Sequence, residues 1–417
     1  MLHRRDFLNR LARTAAVSAA IAPLGAAKAA SSGVRRQVEA DGTLRWNGRR
    51  EFILGLYQLP KREGALRDAA QAGFNLVSLP AERKAYDEAH ALGVRGWSSV
   101  GSIPESGDRR AAEDRIRRVV ESLRDHPGLW FWETEDEPTF VWKEPSKVRV
   151  SAAQILGTAA YIRRLDPAHP LYLNHSPTHL VSTLQHYNEG ADIVATDIYP
   201  VIPPGIRESY ALWPDGRQGD LADNTIGQAG RYAAKMRQVA GAHRSVFMVL
   251  QGFAWEELRE KDRDPAMVLY PTLSQTRFMA WHSVVHGANG ILWWGLAYAS
   301  PRAEIWGDIQ TVAREMARVR DALASAAWHP RLRLTYRETG HSLDRGIEWT
   351  ARRDAAGWLL ILVNADPNPV DVDIKGLNFR ADCAAVVGPA PQRREGGGVR
   401  ERFEPHGVRV WRFSKRP

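Results

Sequence analysis

Apolar runs alternate with amphipathic stretches along most of the chain. The amphipathic stretches place apolar residues at i, i+3 and i+4, as Ile116, Val119, Val120 and Leu123 do, which predicts helices. The continuous apolar runs are typical of parallel strands that are buried on both faces. The predicted strands cover residues 52–57, 74–79, 94–100, 129–134, 171–174, 192–198, 246–250 and 290–296. The predicted helices cover residues 62–72, 81–92, 108–126, 147–165, 178–187, 225–240, 273–286 and 308–327.

Eight successive strand–helix pairs predict an α/β fold, a (β/α)8 TIM barrel, over residues 31–327. A doubly wound open sheet is the competing arrangement. The chain lacks the G-x-G-x-x-G and G-x-x-x-x-G-K turns that bind phosphate in such sheets, which favours the barrel. From Trp328 onward the pattern changes to short strands and turns, which predicts a small C-terminal β-sandwich over residues 328–417. Its predicted strands cover residues 349–352, 358–364, 370–374, 384–387 and 408–413.

The first 30 residues have the pattern of an export signal. Arg4 and Arg5 precede an alanine-rich apolar stretch over residues 11–24, and Ala27-Lys28-Ala29 supplies the small residues of a cleavage site. The arginine pair before x-Phe-Leu resembles a twin-arginine signal, although His3 and Asn9 depart from its usual residues. The alternative is an amphipathic first helix. We therefore expect a bacterial protein exported to the periplasm or beyond, with residues 1–30 removed.

Composition narrows the classes of function. The 417 residues include 44% hydrophobic and 25% charged residues, which is typical of a globular protein with a sizeable core. The one cysteine excludes a disulfide within the chain, and no apolar run is long enough to predict a membrane span. The net charge of +9 raises the possibility of nucleic-acid binding, but residues 1–30 hold five Lys or Arg and one Asp. The remaining positive charge is scattered, so we predict no nucleic-acid partner.

The predicted barrel indicates where to look for an active site, because the active sites of such barrels lie at the carboxyl ends of the strands. These ends carry carboxylates, amides and aromatic rings. Such a set suits a sugar, since carboxylates transfer protons at a glycosidic oxygen and ring faces contact the apolar face of a pyranose. The candidate catalytic residues are Asp136, Glu137 and Asp197, and the candidate substrate-binding residues are Tyr57, Gln58, Trp97, Asn174, Tyr199, Gln251 and Trp294.

Several segments over residues 40–327 resemble the glycoside hydrolase barrels, especially clan-A-like members. The segments are residues 47–57, 126–138, 165–170, 197–200 and 287–294. The resemblance implies that Glu137, before Pro138 at the end of the fourth barrel strand, is the general acid/base, with Asp136 where that clan has Asn. It also implies a nucleophilic glutamate at the end of the seventh strand, where this chain has Gln251. An amide cannot form a glycosyl ester, so the second carboxylate must be sought elsewhere.

Three mechanisms remain open from the sequence. Asp197 could be the second carboxylate, either as a base acting on water or as a nucleophile. Glu256 or Glu257, just past the seventh strand, could reach the mouth of the barrel. Alternatively, Asp136 could orient a substrate group that attacks internally while Glu137 donates the proton.

The sequence therefore predicts an exported glycoside hydrolase that acts on an oligo- or polysaccharide, without a cofactor. The alternative, motivated by Gln251, is a catalytically silent carbohydrate-binding barrel. A third hypothesis, a binder of anionic polymers, depends only on charge. His282 and His286 lie one helical turn apart without a nearby acidic third ligand, so we predict packing histidines and no metal site.

Overall fold

Eight parallel strands close into a barrel, each followed by a helix. The computed structural model describes residues 38–141, 144, 147–177, 179–203, 225–337, 343, 345–377, 379, 382–395 and 397–414. The barrel strands are β3 (Ile53–Leu56), β4 (Leu76–Ser78), β5 (Arg95–Ser99), β6 (Leu129–Asp136), β7 (Leu171–His175), β8 (Ile193–Ile198), β9 (Ser245–Gln251) and β10 (Gly290–Trp294). They pair in chain order, and β10 closes the barrel against β3. The predicted (β/α)8 barrel is confirmed.

The helices surround the barrel and run back from the carboxyl end of one strand to the start of the next. They are α1 (Ala65–Ala72), α2 (Arg83–Ala91), α3 (Arg109–Leu123), α4 (Ala152–Leu165), α5 (Val181–Gln185), α6 (Gln228–Ala240), α7 (Leu273–Val285), α8 (Ile305–Ala317) and α9 (Arg320–Leu323). Ser151 caps α4 by accepting from the Gln154 N–H, and Thr272 and Gln275 form a capping box on α7.

A hairpin covers the amino-terminal end of the barrel. Its strands, β1 (Leu44–Trp46) and β2 (Arg49–Glu51), are joined by Asn47 and Gly48, which both have positive φ, 48° and 77°. Two such residues in succession form the turn that matches the twist of a hairpin. The guanidinium of Arg95 lies 4.2 Å from the ring of Trp46 and 4.6 Å from that of Trp130, so the hairpin is held onto the first residues of β5 and β6.

Two antiparallel sheets follow the barrel and form the predicted β-sandwich. The five-stranded sheet has the order β11-β13-β14-β19-β16, and the four-stranded sheet has the order β12-β15-β18-β17. The strands are β11 (Ala327–Trp328), β12 (Arg333–Tyr336), β13 (Ile347–Asp354), β14 (Gly357–Asn364), β15 (Val370–Lys375), β16 (Cys383–Val387), β17 (Gln392–Arg393), β18 (Val399–Phe403) and β19 (Val408–Ser414). The sequence did not predict β11, β12, β17 or β18, because these strands are short or rich in charged residues.

The sandwich and the barrel share one core. Leu359, Ile361 and Val363 on one face of β14 pack in the same apolar cluster as the barrel helices α7 and α8. Leu360 and Leu362 on the other face pack between the two sheets. Both faces of β14 are therefore buried, which is why its sequence is an unbroken apolar run.

The predicted export signal, residues 1–30, lies outside the described residues. None of the helices in the described part of the chain has the length and apolar character that crossing a membrane requires.

Candidate active site

Glu137 lies directly past β6, at the carboxyl end of the barrel. Its backbone N–H donates to the carbonyl oxygen of Asn174 at the matching end of β7, at 2.9 Å. Glu137 has a φ of 44°, a conformation that a glutamate adopts at an energetic cost. Such strained residues cluster at functional sites. The residue is 3% exposed, so its carboxyl group does not lie on an outer surface.

Asn174 joins two of the three candidate carboxylates through its side chain. Its amide nitrogen Nδ2 donates to Asp136 Oδ1 at 2.9 Å and to Asp197 Oδ1 at 3.4 Å. The amide oxygen Oδ1 is buried and has no hydrogen-bond partner among the described residues. Three neighbouring strands, β6, β7 and β8, thus bring Asp136, Asn174 and Asp197 together, with Glu137 bound to the Asn174 backbone.

A β-bulge at Thr134 determines which acidic side chains of β6 face the barrel. Glu133 pairs with Tyr172 and Glu135 pairs with Leu173, so Thr134 is an extra residue in β6. Past the bulge the alternation is inverted. Glu135 therefore faces away from the barrel interior, where it accepts from Ser102 Oγ at 2.9 Å and from Arg149 at 3.0 Å, and Asp136 faces Asn174.

Glu133 is a buried carboxyl group beneath Asp136, and it is not among the site residues predicted from the sequence. The indole N–H of Trp97 donates to Glu133 Oε2 at 3.1 Å, and the hydroxyl of Tyr57 donates to Oε1 at 3.3 Å. Burial, reinforced by the charge of Asp136, raises the pKa of Glu133 to about 8. This raised pKa favours the protonated form of Glu133. The signal that could have identified it is its even spacing from Phe131 within a buried strand.

Two tyrosines complete the inner network. The hydroxyl oxygens of Tyr57 and Tyr172 lie 2.6 Å apart, and burial raises the pKa of both hydroxyl groups well above the usual value. Trp97 is 0% exposed and contacts Tyr57 edge to face, with 5.1 Å between ring centroids. Trp97 thus lies below the mouth and supports Glu133, and substrate contact by Trp97 stays a prediction.

Aromatic rings form the opposite side of the rim. Tyr199 and Trp294 are stacked with 5.6 Å between centroids and an interplanar angle of 27°. Trp294 also contacts Tyr298 at 5.6 Å. Gln58 is held beside them because its Oε1 accepts from the Gly295 N–H at 2.9 Å. The carboxyl ends of β3, β8 and β10 thereby bring Gln58, Tyr199 and Trp294 together.

Gln251 is the last residue of β9, and the hydrogen bonds of its side chain all go to backbone groups. Its Oε1 accepts from the Val201 N–H at 3.0 Å, and its Nε2 donates to the carbonyl oxygens of Val201 at 2.9 Å and Phe253 at 3.0 Å. The residue is 0% exposed. These bonds tie the segment past β8 to the end of β9, and substrate contact by Gln251 stays a prediction.

The two glutamates past β9 are bound within their own loop. Glu256 Oε1 accepts from the Asp264 N–H at 2.7 Å and from Arg259 at 3.2 Å. Glu257 accepts from Arg263 at 3.3 Å. Neither carboxylate bonds to Asp136, Asn174 or Asp197 among the contacts of the described residues, and the identity of the second carboxylate stays a prediction.

Comparison with solved structures adds information on the fold. An α-amylase from Geobacillus thermoleovorans, solved in complex with acarbose, is 8% identical, and the match covers 88% of this chain and 99% of that chain with a TM-score of 0.53. An α-amylase from Anoxybacillus is 9% identical, over 88% of this chain and 98% of that chain, also with a TM-score of 0.53. No protein-family model and no curated protein matches the chain. The chain thus has a barrel fold that glycoside hydrolases use.

The prediction that His282 and His286 lack an acidic neighbour is wrong. Glu348 on β13 reaches both rings, with its Oε2 lying 2.6 Å from His282 Nε2 and 2.5 Å from His286 Nε2. The sequence could not indicate this contact, because Glu348 belongs to the sandwich and the two histidines belong to the barrel.

Proposed function

We propose that this protein is an exported glycoside hydrolase that cleaves O-glycosidic bonds of an oligo- or polysaccharide. The observation that carries the proposal is the assembly around Asn174 at the carboxyl end of the barrel. Its backbone oxygen binds the Glu137 N–H, and its amide nitrogen binds both Asp136 and Asp197. Most glycoside hydrolases use a pair of carboxyl groups that flank the scissile bond, and the stacked aromatic rings across the rim suit the apolar face of a sugar.

In this proposal Glu137 protonates the leaving oxygen and Asp197 acts on the other face of the sugar, either on a water molecule or on the anomeric carbon. Asp136 modulates Glu137. The oxygens Asp136 Oδ1 and Asp197 Oδ1 lie 2.9 Å and 3.4 Å from the same Asn174 nitrogen, so the amide holds the two carboxylates side by side on neighbouring strands. This arrangement supports a role for Asp197 in the same cleft as Asp136.

A protonated Glu133 adds no negative charge beneath the three candidate catalytic carboxyl groups. If Glu133 were ionised beside Asp136, Asp197 and Glu137, the repulsion would oppose their simultaneous ionisation. The donor N–H of Trp97 and the hydroxyl of Tyr57 hold the Glu133 side chain in place. Glu133 is thus a positioning residue, and it does not need to touch the substrate.

The test is turnover of a panel of aryl glycosides and natural polysaccharides by the wild-type protein and by Glu137→Gln. General acid catalysis supplies ~10²–10⁴ of rate, so we expect a loss of at least that size on natural glycans. Aryl substrates with good leaving groups should lose less, since they need little protonation. A Glu137→Gln variant with full activity on an unactivated glycan would overturn the mechanism.

The same panel identifies the second carboxylate. Asp197→Asn should be nearly inactive on both substrate types, and azide should restore part of the aryl glycoside turnover if Asp197 is a nucleophile. Glu256→Gln is the control, because Glu256 follows β9 but bonds only within its loop. If Glu256→Gln is inactive while Asp197→Asn turns over normally, Glu256 is the partner instead.

The second candidate is a silent carbohydrate-binding barrel. The backbone-bound amide of Gln251 favours it, because the position where the resembling enzymes carry a nucleophile here serves structure. Sugar binding without turnover, on the whole panel and across pH, would support the silent barrel and reject the hydrolase.

Export is part of the proposal and has its own test. Residues 1–30 carry the arginine pair, the apolar stretch and the cleavage site. Replacing Arg4 and Arg5 by lysines should retain the full-length precursor in the cytoplasm of a bacterial host. Unchanged export of that variant would reject the twin-arginine route.

A further inference from the structure

The second cluster of titratable side chains lies at the contact between the barrel and the sandwich. His282 is on α7, His286 directly follows α7, and Glu348 is on β13. His286 precedes the start of β10 at Gly290, so this end of α7 lies at the amino-terminal ends of the strands. The cluster is therefore at the opposite end of the barrel from Glu137, and the proposed hydrolase does not use it.

The three side chains converge on one point. Glu348 Oε2 lies 2.6 Å from His282 Nε2 and 2.5 Å from His286 Nε2, and the two nitrogens lie 3.1 Å apart. If both nitrogens donated protons to Oε2, two N–H groups would point into the same small space. A divalent cation removes this conflict, because it accepts a lone pair from each of the three atoms.

The position of His282 is fixed by packing. Its ring lies against Gly230 on α6, where an added Cβ would be 2.4 Å from His282 Cε1. On the other side the ring of Phe278 packs on it, with 4.7 Å between centroids. Only a residue without a side chain at position 230 leaves room for this ring. Nε2 is thereby aimed at Glu348 before any ion binds.

We propose that His282, His286 and Glu348 bind a zinc ion that links the barrel to the sandwich. In a tetrahedral site with Zn–N bonds of 2.0–2.1 Å, neighbouring ligand atoms lie ~3.3 Å apart, so the three atoms need to separate by less than an ångström. His286 and Glu348 can do so, because their side chains are 25% and 28% exposed. That exposure also gives a water molecule access to the fourth position.

The first measurement is the zinc content and stability of the purified protein after treatment with a chelator and dialysis. We expect one zinc ion per chain to rebind and to raise the melting temperature, because an ion that binds only the folded state stabilises it. Cobalt(II) bound in place of zinc should give the intense visible absorption of a four-coordinate ion.

The variants are His286→Asn and Glu348→Gln, which change the two partly exposed ligands and spare the buried His282. Each should weaken zinc binding by at least ~10-fold. Losing a residue that only supports a metal ligand already costs that much affinity, and here a ligand itself is changed. His329→Asn, at an exposed histidine in the sandwich, is the matched control and should bind zinc normally. The readouts do not depend on glycosidase activity.

Two results would overturn the proposal. One is a protein that takes up no zinc, or shows no change in melting temperature with zinc, at concentrations that saturate ordinary His-containing sites. The other is zinc that remains equally tight in both variants, which would place the ion elsewhere. Circular dichroism of each variant without zinc shows that the fold is retained, and either folded variant suffices for the test.

Discussion

Asn174 and Asp136 are joined by a hydrogen bond of 2.9 Å from the amide nitrogen Nδ2 to the carboxylate oxygen Oδ1. The same nitrogen reaches Asp197, so a single neutral donor lies between two buried or half-buried acids. The amide thereby holds both carboxylates in fixed positions and offsets their mutual repulsion.

Asn174→Ala should therefore impair both turnover and stability. Loss of a donor to buried acceptors costs about 1–3 kcal/mol, measured as the free energy of unfolding in denaturant. Asn174→Asp has the same shape but replaces the donor by a third carboxylate, so its loss of turnover should grow with pH as that group ionises. Wild-type turnover in both variants would show that Asn174 does not position the acids.

Glu133→Gln should change the pH dependence of stability. The pKa of Glu133 is raised to about 8 in the folded protein. Between pH 4.5 and pH 8, Glu133 is therefore ionised in the unfolded chain but keeps its proton in the folded chain. The wild-type protein therefore loses stability as pH rises from about 4.5 to 8, by the linkage of proton binding to folding. The variant lacks this loss. Its free energy of unfolding, relative to wild type, should increase across that window.

A pH-independent difference between Glu133→Gln and wild type would contradict the assignment of the raised pKa to Glu133. A constant offset is expected in addition, because Trp97 and Tyr57 donate to different oxygens of Glu133, and the NH2 group that replaces one of these oxygens in glutamine cannot accept. Only the slope with pH carries the test.

Gln251→Glu should destabilise the protein and should not create a retaining glycosidase. The glutamine Nε2 donates to two backbone carbonyl oxygens, and a carboxylate there would face the same two acceptors. The Val201 N–H can still donate to one oxygen, but a buried charge whose other oxygen faces only acceptors costs about 3 kcal/mol or more, measurable as a fall in melting temperature. Gln238→Glu, on the exposed face of α6, is the control and should be nearly neutral. A variant as stable as wild type would mean that the end of β9 adapts easily to a carboxylate.

His175→Phe should make the protein more resistant to acid. His175 is 0% exposed, and neither ring nitrogen has a hydrogen-bond partner among the described residues. Burial, followed by the charges of His179 and Lys235, lowers the pKa of His175 to about 3. Below pH 6.5 His175 binds a proton in the unfolded chain but not in the folded chain. The free energy of unfolding of the wild-type protein therefore falls by up to ~1.4 kcal/mol for each unit by which the pH is lowered.

The phenylalanine variant retains a ring against Tyr187, whose centroid lies 5.8 Å from that of His175, and has no proton to bind. Its unfolding free energy relative to wild type should rise as pH falls from 6.5 toward 4. His329→Phe is the control at an exposed position. Parallel pH curves for wild type and His175→Phe would show that His175 is protonated equally well in both states.

The barrel was predictable because strands that are buried on both faces have unbroken runs of apolar residues in the sequence. A run such as Val246–Leu250 has no room for polar alternation, and each run is separated from the next by a helix of adequate length. The rim was predictable in part, since a barrel places the residues that follow its strands at one end. The grouping of Asp136, Glu137, Asn174 and Asp197 follows from that rule alone.

The details of the site were not predictable, because they depend on single residues acting across strands. One extra residue, Thr134, decides that Asp136 and Glu133 face inward while Glu135 faces outward. Simple alternation would place Glu133 and Glu135 on one face and Asp136 on the other. In the same way, nothing local distinguishes an amide that binds sugar from one that binds the backbone, as Gln251 does.

The shared core of barrel and sandwich has a consequence for how the chain folds and varies. β14 lies between α7 on one side and the second sheet on the other, so separating the two parts would expose apolar side chains on each. The barrel and the sandwich, which meet near residue 327, are therefore not expected to fold independently of each other. Heat should melt the whole chain in a single cooperative step, and a barrel expressed without residues 328–417 should precipitate. The sandwich could therefore not be removed or replaced alone without exposing apolar side chains of the barrel helices.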